Sequence, residues 1–371
     1  MDRRYLILDK NEIPSPALIV FEELLLKNLD KMIEIAGTPN RLRPHCKTHK
    51  MREVIELEMK LGIRKHKAAT LAEAEMLALA GVCDVFLAYN LVGPNISRAV
   101  KFLERFPQVT LGVTCDHPAP LATLSSAVNA AGKRIDVYLD IDSGQHRTGV
   151  SVGEQAKELY RIISSSPGIN AAGIHLYDGQ NHQKELNDRT QAVMSIWQQV
   201  AWFRDGLLAA GLAVPKIVCG GTGSFPVFAK IVDPSIELSP GTCVFHDIGY
   251  SELFPDLEFV PAQMILTRVI SRPADDLMTL DLGYKACAAD RPAGRRLFFP
   301  ELPDAEEALQ NEEHLVLRTP FAKDFRPGDA LLAVARHACP TSAMYQHAYV
   351  IRNGKQVGLW NVVARDRQLT I

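Results

Sequence analysis

Three short stretches carry the residue types from which chemistry is built. The first is RLRPHCKTHKM, Arg41 to Met51, where Lys47 ends a run that reads as a β-strand. A lysine in a partly desolvated mouth loses basicity, and its neutral amine can form a Schiff base with an aldehyde. The competing reading is a solvated basic loop of Arg43, Lys47 and Lys50. The second stretch is CGGTGSF, Cys219 to Phe225. Its glycines let the backbone approach an anion, and N–H groups ahead of a helix bind phosphate; most short glycine-rich runs are only turns. The third is RHACPT, Arg336 to Thr341. In a strand, His337 and Cys339 project from one face, and imidazole plus thiolate at that spacing can chelate a divalent ion such as zinc. Two ligands leave room for water or substrate, which suits a catalytic ion better than a structural one. The plainer reading is a surface histidine beside a buried cysteine.

The order of elements around these stretches must place them. Strand-like runs at 41–47, 65–70, 84–89, 109–115, 134–142, 170–177, 216–222 and 236–242 alternate with helical stretches such as LAEAEMLALAG. Eight such units predict a (β/α)8 TIM-type barrel, in preference to an open doubly wound sheet. Active sites of these barrels form at the C-terminal ends of the strands, and phosphate sites often follow strands seven and eight. Lys47 then closes the first strand and Tyr177 the sixth, Gly221, Thr222 and Gly223 follow the seventh, and Arg147 and His182 lie a few residues past strand ends. A lysine facing a phosphate cradle points to pyridoxal 5′-phosphate. His45, two residues before Lys47, belongs either to the cofactor's surroundings or to the core.

After about residue 255 the texture changes to short alternating runs broken by Pro, Gly and Asn, and IRNGKQ carries the Asn-Gly pair of a two-residue hairpin. The expected division is a barrel over 15–255 and an all-β domain over 256–371, with residues 1–14 a candidate extra strand of the latter. A formal net charge of −2 and a pI near 6.6 give no bulk electrostatic case for nucleic acid or an anionic membrane. Seven scattered cysteines without a CxxC pair suit free thiols in a reducing compartment. The charged N-terminus does not read as a signal peptide, and no apolar run is long enough for a membrane span. The expected location is cytoplasmic.

LRPHCKTHK, DIDSGQHRTGV, GIHLYDGQNH, GGTGS and HACPT, in this order, resemble the D-threonine aldolase and D-serine dehydratase group of alanine-racemase-like enzymes. The resemblance runs from about residue 15 to 365. It implies that Lys47 carries the cofactor as a Schiff base and that Arg147 hydrogen-bonds near its phenolic oxygen. Tyr177 would lie beside the ring, and Gly221, Thr222 and Gly223 would hold the phosphate. His337 and Cys339 would hold the metal, with His182 a second active-site histidine and a homodimer as the assembly. The substrate implied is a β-hydroxy-D-amino acid, cleaved to glycine and an aldehyde by an aldolase, or to a keto acid and ammonia by a D-serine or 3-hydroxy-D-aspartate dehydratase. Bacterial D-threonine aldolases tend to have Asp where Cys339 stands, so this cysteine resembles the dehydratases and favours zinc over manganese or magnesium. His182 and the ending YVIRNG are closer to the aldolase branch, which is the favoured expectation. An amino-acid racemase and a non-catalytic cofactor carrier are the remaining readings. The first needs no metal, and the second lacks the β-domain and the His-x-Cys pair. Arg291, Arg295 and Arg296 are candidates for a distal substrate carboxylate.

Overall fold

The structure is a computed structural model and describes residues 2–371. The chain gathers into two compact units. One comprises Met32–Lys47, Val54–Gly241 and Asp366–Ile371; the other comprises the chain up to Lys31, Thr48–Glu53 and Thr242–Arg365. Strands are numbered along the chain, and β1 (Ala17–Phe21) belongs to the latter unit.

The first unit is built on seven parallel strands paired in chain order: β2 (Lys65–Ala68), β3 (Asp84–Asn90), β4 (Thr110–Cys115), β5 (Ile135–Asp142), β6 (Ile169–Tyr177), β7 (Lys216–Cys219) and β8 (Ile236–Leu238). Each strand is preceded or followed by a helix, the crossover that parallel pairing requires. The eighth position of the barrel is filled by Leu42–His45, which bridges both edges: Leu42 pairs with Leu238 and His45 with Lys67. Arg43 N–H donates to the Leu238 carbonyl at 2.8 Å, His45 N–H to Pro240 at 2.8 Å, and Lys67 N–H to Pro44 at 2.8 Å. The expected strand over 41–47 is therefore shorter and irregular. Pro44 has no N–H to give a ladder, and after His45 the chain tightens into a 3-10 turn, Cys46–Thr48.

Arg43 is not part of a solvated loop. Its side chain is 0% exposed, with Nε on Glu237 at 2.5 Å and Nη1 on Asp84 at 2.7 Å. Lys65 adds a second cation on Glu237 at 2.7 Å, and Lys216 lies 3.5 Å from Asp84. Burial opposes the guanidinium charge, but Glu237 and Asp84 outweigh it and raise its pKa. These residues sit at or near the starts of β2, β3 and β7 and within β8, so they tie the closing segment to its sheet. Inside the barrel, Phe86 and Tyr138 pack with ring centres 4.4 Å apart, against Ala172 and Val218. Gly112 makes room for that pair, since a Cβ there would lie 2.8 Å from the Tyr138 ring.

The other unit is a mostly antiparallel sheet. Its remaining strands are β9 (Gln263–Ala274), β10 (Leu277–Leu280), β11 (Leu297–Phe298), β12 (Glu306–Gln310), β13 (Leu315–Arg318), β14 (Ala330–Ala335), β15 (His347–Arg352) and β16 (Lys355–Asn361). The order is β12-β13-β10-β9-β1-β15-β16, with β14 on β9 and β11 on β14. β15 and β16 form the hairpin expected from IRNGKQ: Asn353 and Gly354 both have positive φ, +51° and +73°, as a type I′ turn requires. No helix is long and apolar enough to cross a membrane among the described residues.

Replacing Arg43 by Met leaves Asp84 and Glu237 short of a buried partner and is expected to destabilise the chain by about 3 kcal/mol. A urea-unfolding midpoint checks this, and an unchanged midpoint would mean that the barrel closes without the ion cluster.

Candidate active site

Lys47 is half-buried in the middle of the Cys46–Thr48 turn, and its N–H donates to His45 Nδ1 at 3.3 Å. The preceding residue ties the turn down: Cys46 Sγ lies 3.7 Å from Glu73 Oε2, which also accepts Ala69 N–H at 2.6 Å. Glu73 in turn belongs to the helix Leu71–Leu79, capped by Thr70. A short-range pattern finds Lys47, but not this buried carboxylate that holds its turn.

Tyr177 ends β6, and its ring is a platform for two cations. The Arg147 guanidinium carbon lies 4.9 Å from the ring centre, and Lys67 Nζ lies 5.6 Å from it. Arg147 rides on a loop that Asp142 organises, because the Asp142 carboxylate accepts Gly144 N–H at 3.0 Å, His146 N–H at 2.9 Å and His146 Nδ1 at 2.7 Å. Burial works against the Asp142 charge, but these contacts outweigh it and hold its pKa below the usual value. The loop returns at Gly149, whose φ is +98° and where a Cβ would stand 2.5 Å from Asp142 N. Beneath it, His175 Nδ1 meets Asp140 at 2.7 Å while His175 Nε2 is buried without a partner. Burial keeps His175 neutral, so Nδ1 carries the proton that Asp140 accepts.

The loop after β7 is shaped in advance. Gly221 N–H donates to Ser224 Oγ at 3.0 Å, and Ser224 Oγ donates to Asp178 Oδ1 at 2.6 Å. Asn181 Nδ2 donates to the other Asp178 oxygen at 2.9 Å. Burial pushes the Asp178 pKa up, against those two hydrogen bonds. Gly221 lies against Tyr177, whose Cε2 would be 3.1 Å from a Cβ there. Gly221 N–H is thus already engaged, whereas Gly223 N–H has no partner among the described residues. The arrangement fits a phosphorylated aromatic aldehyde: an amine, a ring flanked by cations, and a backbone loop with an unengaged N–H. His182 is exposed on the loop after β6 and forms no hydrogen bond or ion pair with the described residues.

In the other unit, RHACPT is not a strand. β14 stops at Ala335, and His337 is the N-cap of a short helix, Ala338–Ser342. Pro340 suits the first turn of that helix, where no N–H is needed. His337 and Cys339 still come within hydrogen-bonding contact, because the helical turn folds Cys339 back toward the cap. His337 Nδ1 meets Asp290 at 2.6 Å, and Cys339 Sγ lies 3.1 Å from Thr48 Oγ1 and 3.4 Å from Thr242 Oγ1. Burial disfavours charge on His337, but Cys339 and Asp290 outweigh it and lift its pKa to about 9. Asp247 clamps the turn by accepting Ala338 N–H and Tyr250 N–H, each at 2.9 Å. Thr341 Oγ1 donates to the His337 carbonyl at 2.8 Å and accepts Ala288 N–H at 3.1 Å, which fixes the segment leading to Asp290. A carboxylate on Nδ1 leaves Nε2 as the imidazole's metal-binding atom, the usual outer support of a histidine ligand. The donor set therefore fits a borderline-soft divalent ion.

Fold and site together define a pyridoxal-phosphate-dependent protein with an alanine-racemase-type barrel and a separate β unit. Residues 23–247 match the family described as alanine racemase, N-terminal domain, and residues 262–351 match the putative serine dehydratase domain. The chain belongs to this family, within the group of D-threonine aldolases and D-serine dehydratase-like lyases. It is 31% identical to a D-threonine aldolase of Arthrobacter sp. over 87% of its length and 85% of the relative's. It is 29% identical to a 3-hydroxy-D-aspartate aldolase of Paracoccus denitrificans, over 97% and 94% of the two chains. A D-threo-3-hydroxyaspartate dehydratase of Delftia sp. is 24% identical over 94% and 97%. Among solved structures, a D-threonine aldolase from Filomicrobium marinum superposes with a TM-score of 0.88 at 27% identity, covering 96% of each chain. The Delftia dehydratase has the same fold, with a TM-score of 0.83 at 22% identity, over 95% and 98% of the two chains.

Gly149→Ala is expected to cost about 2 kcal/mol or more, because positive φ and a backbone clash act together. Gly206→Ala, in the last turn of the helix Leu186–Ala209 and facing open space, is expected to be neutral or to stabilise slightly. Paired denaturation curves distinguish the two, and equal midpoints would remove the close approach from the account of the Arg147 loop.

Proposed function

We propose that this chain is a lyase of β-hydroxy-D-amino acids that cleaves D-threonine-type substrates to glycine and an aldehyde. The observation that carries this reading is the likeness to a D-threonine aldolase over 87% of the chain. The reading includes zinc or another divalent ion and, by analogy with relatives of the fold, a cytoplasmic homodimer. When bound, pyridoxal phosphate withdraws electron density from the Cα of an attached amino acid. Lys47 would hold the cofactor at its aldehyde carbon, and its amine would be the group that holds or returns the Cα proton. Arg147, on the loop that Asp142 organises and resting on the Tyr177 ring, would donate to the phenolic oxygen. Thr222 and Gly223 offer N–H groups to the phosphate, on a loop that Gly221 and Ser224 shape. His337 and Cys339 hold the ion, with Asp290 orienting the imidazole; the ion would act as a Lewis acid on the substrate hydroxyl. His182, exposed and without a hydrogen-bond partner among the described residues, would be the base that accepts the substrate's hydroxyl proton when the Cα–Cβ bond is cleaved. The electron pair of that bond ends as a C–H bond of glycine.

Cys339 favours one second reading, a dehydratase. There Lys47 takes the Cα proton, hydroxide leaves Cβ, and hydrolysis gives a keto acid and ammonia. The likeness to the Delftia dehydratase over 94% of the chain supports it.

Product analysis separates the two. The cofactor-loaded chain, given D-threonine, is expected to release glycine and acetaldehyde, and to stop on chelation. Pyruvate and ammonia from D-serine as the dominant products would install the dehydratase instead. Chelator-insensitive Cα exchange with both enantiomers would overturn both readings. Lys47→Ala is expected to abolish the visible absorbance band of the cofactor imine, and its survival would sink the assignment of Lys47. Asp290→Ala is expected to weaken metal binding by about tenfold to a hundredfold, measured by competition with a chromogenic chelator; unchanged affinity would show that Asp290 does not support the ligand.

A further inference from the structure

Lys67 is a buried lysine that the mechanism above does not use. Its strand neighbour His66 faces outward and meets Glu58 of the helix Arg52–Lys60 at 3.0 Å, so alternation turns Lys67 into the barrel. Lys67 is 3% exposed. Its Nζ lies 5.9 Å from the Phe86 ring centre and 5.6 Å from that of Tyr177, which fixes its direction. It forms no hydrogen bond and no ion pair with the described residues through that nitrogen. The acids that face it are both engaged elsewhere: Asp140 is held by His175, and Asp178 by Ser224 and Asn181. Its other titratable and charged neighbours are Lys47 on the closing turn, Arg147 beyond β5, His175 on β6 and Cys219 on β7. Burial, reinforced by the charge of Lys47, lowers its pKa to about 7.

A buried amine without a counter-ion is expensive to charge. Two cations on one aromatic ring, Arg147 and Lys67, also repel each other. Both features are relieved by the same event, the arrival of negative charge between them. We propose that Lys67 is an anion-binding, positioning residue of the cofactor pocket, donating a hydrogen bond from Nζ to an anionic oxygen. That oxygen belongs either to the cofactor or to the carboxylate of an amino acid joined to it. The proposal rests on the reading that Lys47 holds pyridoxal phosphate. It assigns Lys67 a function that a lysine serves and an uncharged residue of similar length does not.

The experiment compares the full-length chain with Lys67→Met, Lys67→Gln and Lys67→Arg. Each is reduced with borohydride in the presence of pyridoxal phosphate and mapped for the pyridoxyl group. Each is also titrated with pyridoxal phosphate alone, then with D-alanine on the loaded protein, following the visible band. The expected result is a pyridoxyl group on Lys47 in all four proteins. Cofactor or D-alanine affinity should fall by about tenfold or more in the Met and Gln variants and be largely restored in the Arg variant. Loss in the first titration identifies a cofactor oxygen, and loss only in the second identifies the amino-acid carboxylate. Unchanged affinities in both titrations would overturn the proposal, as would a pyridoxyl group on Lys67. A purely structural role would shift the melting temperature of the variants without moving either titration, and would also overturn it. If the wild-type chain itself gives no band and no pyridoxyl group, the cofactor reading falls and the role of Lys67 falls with it, an outcome distinct from a normal wild type beside an unaltered variant.

Discussion

The barrel depends on one buried guanidinium. Leu42–His45 cannot close the sheet as an ordinary strand, because Pro44 removes a donor from it. What it lacks in ladder hydrogen bonds is supplied in part by Arg43, which grips Glu237 of β8 on one side and Asp84 of β3 on the other. Lys47 lies only four positions beyond this clasp. The position of the amine at the mouth is thus inherited from an ion cluster at the opposite end of the same segment, with Glu73 fixing the turn between them.

The same economy recurs elsewhere in each unit. Carboxylates that touch no candidate ligand hold the loops that carry the candidate groups. Asp142 folds the Arg147 loop, Asp178 fixes Ser224 and through it Gly221, and Asp247 clamps the turn between His337 and Cys339. Asp142 and Asp178 accept hydrogen bonds from donors of loops that lack regular secondary structure, and Asp247 accepts them from the first turns of two short helices, which is how such segments are made rigid. Burial raises the pKa of Asp178, and that of Asp247 to about 6. In both cases burial acts against the hydrogen bonds that the carboxylate accepts.

The fold class was legible because it is written in periodicity: short apolar strands alternating with helices, then period-two runs broken by turns. Asn353 and Gly354 announced their hairpin through chemistry that only positive φ satisfies. Two local readings failed for identifiable reasons. RLRPHCK looked like a strand throughout, but a proline and a 3-10 turn ended it at His45. RHACPT looked like a strand too, although Pro340, which has no N–H to give a ladder, sits in the first turn of a short helix. The supporting groups were not legible at all. Arg43 finds its partners 41 and 194 positions away, and Lys67 is defined by what surrounds it rather than by its neighbours in sequence. A charge buried by tertiary packing leaves no local trace.

The placement of β1 bears on how the molecule is assembled. Ala17–Phe21 is wholly buried between β9 and β15, pairing with Ile265 and its neighbours on one side and Tyr349 and its neighbours on the other. During synthesis from the N-terminus this five-residue apolar strand emerges before the whole barrel, while both of its flanking strands emerge after it. For that interval it is an exposed strand edge without a mate, the kind of segment that recruits chaperones or like copies of itself. Completing the β unit is then the late, long-range step of folding, and the barrel, whose strands pair in the order they are made, is the early and local one.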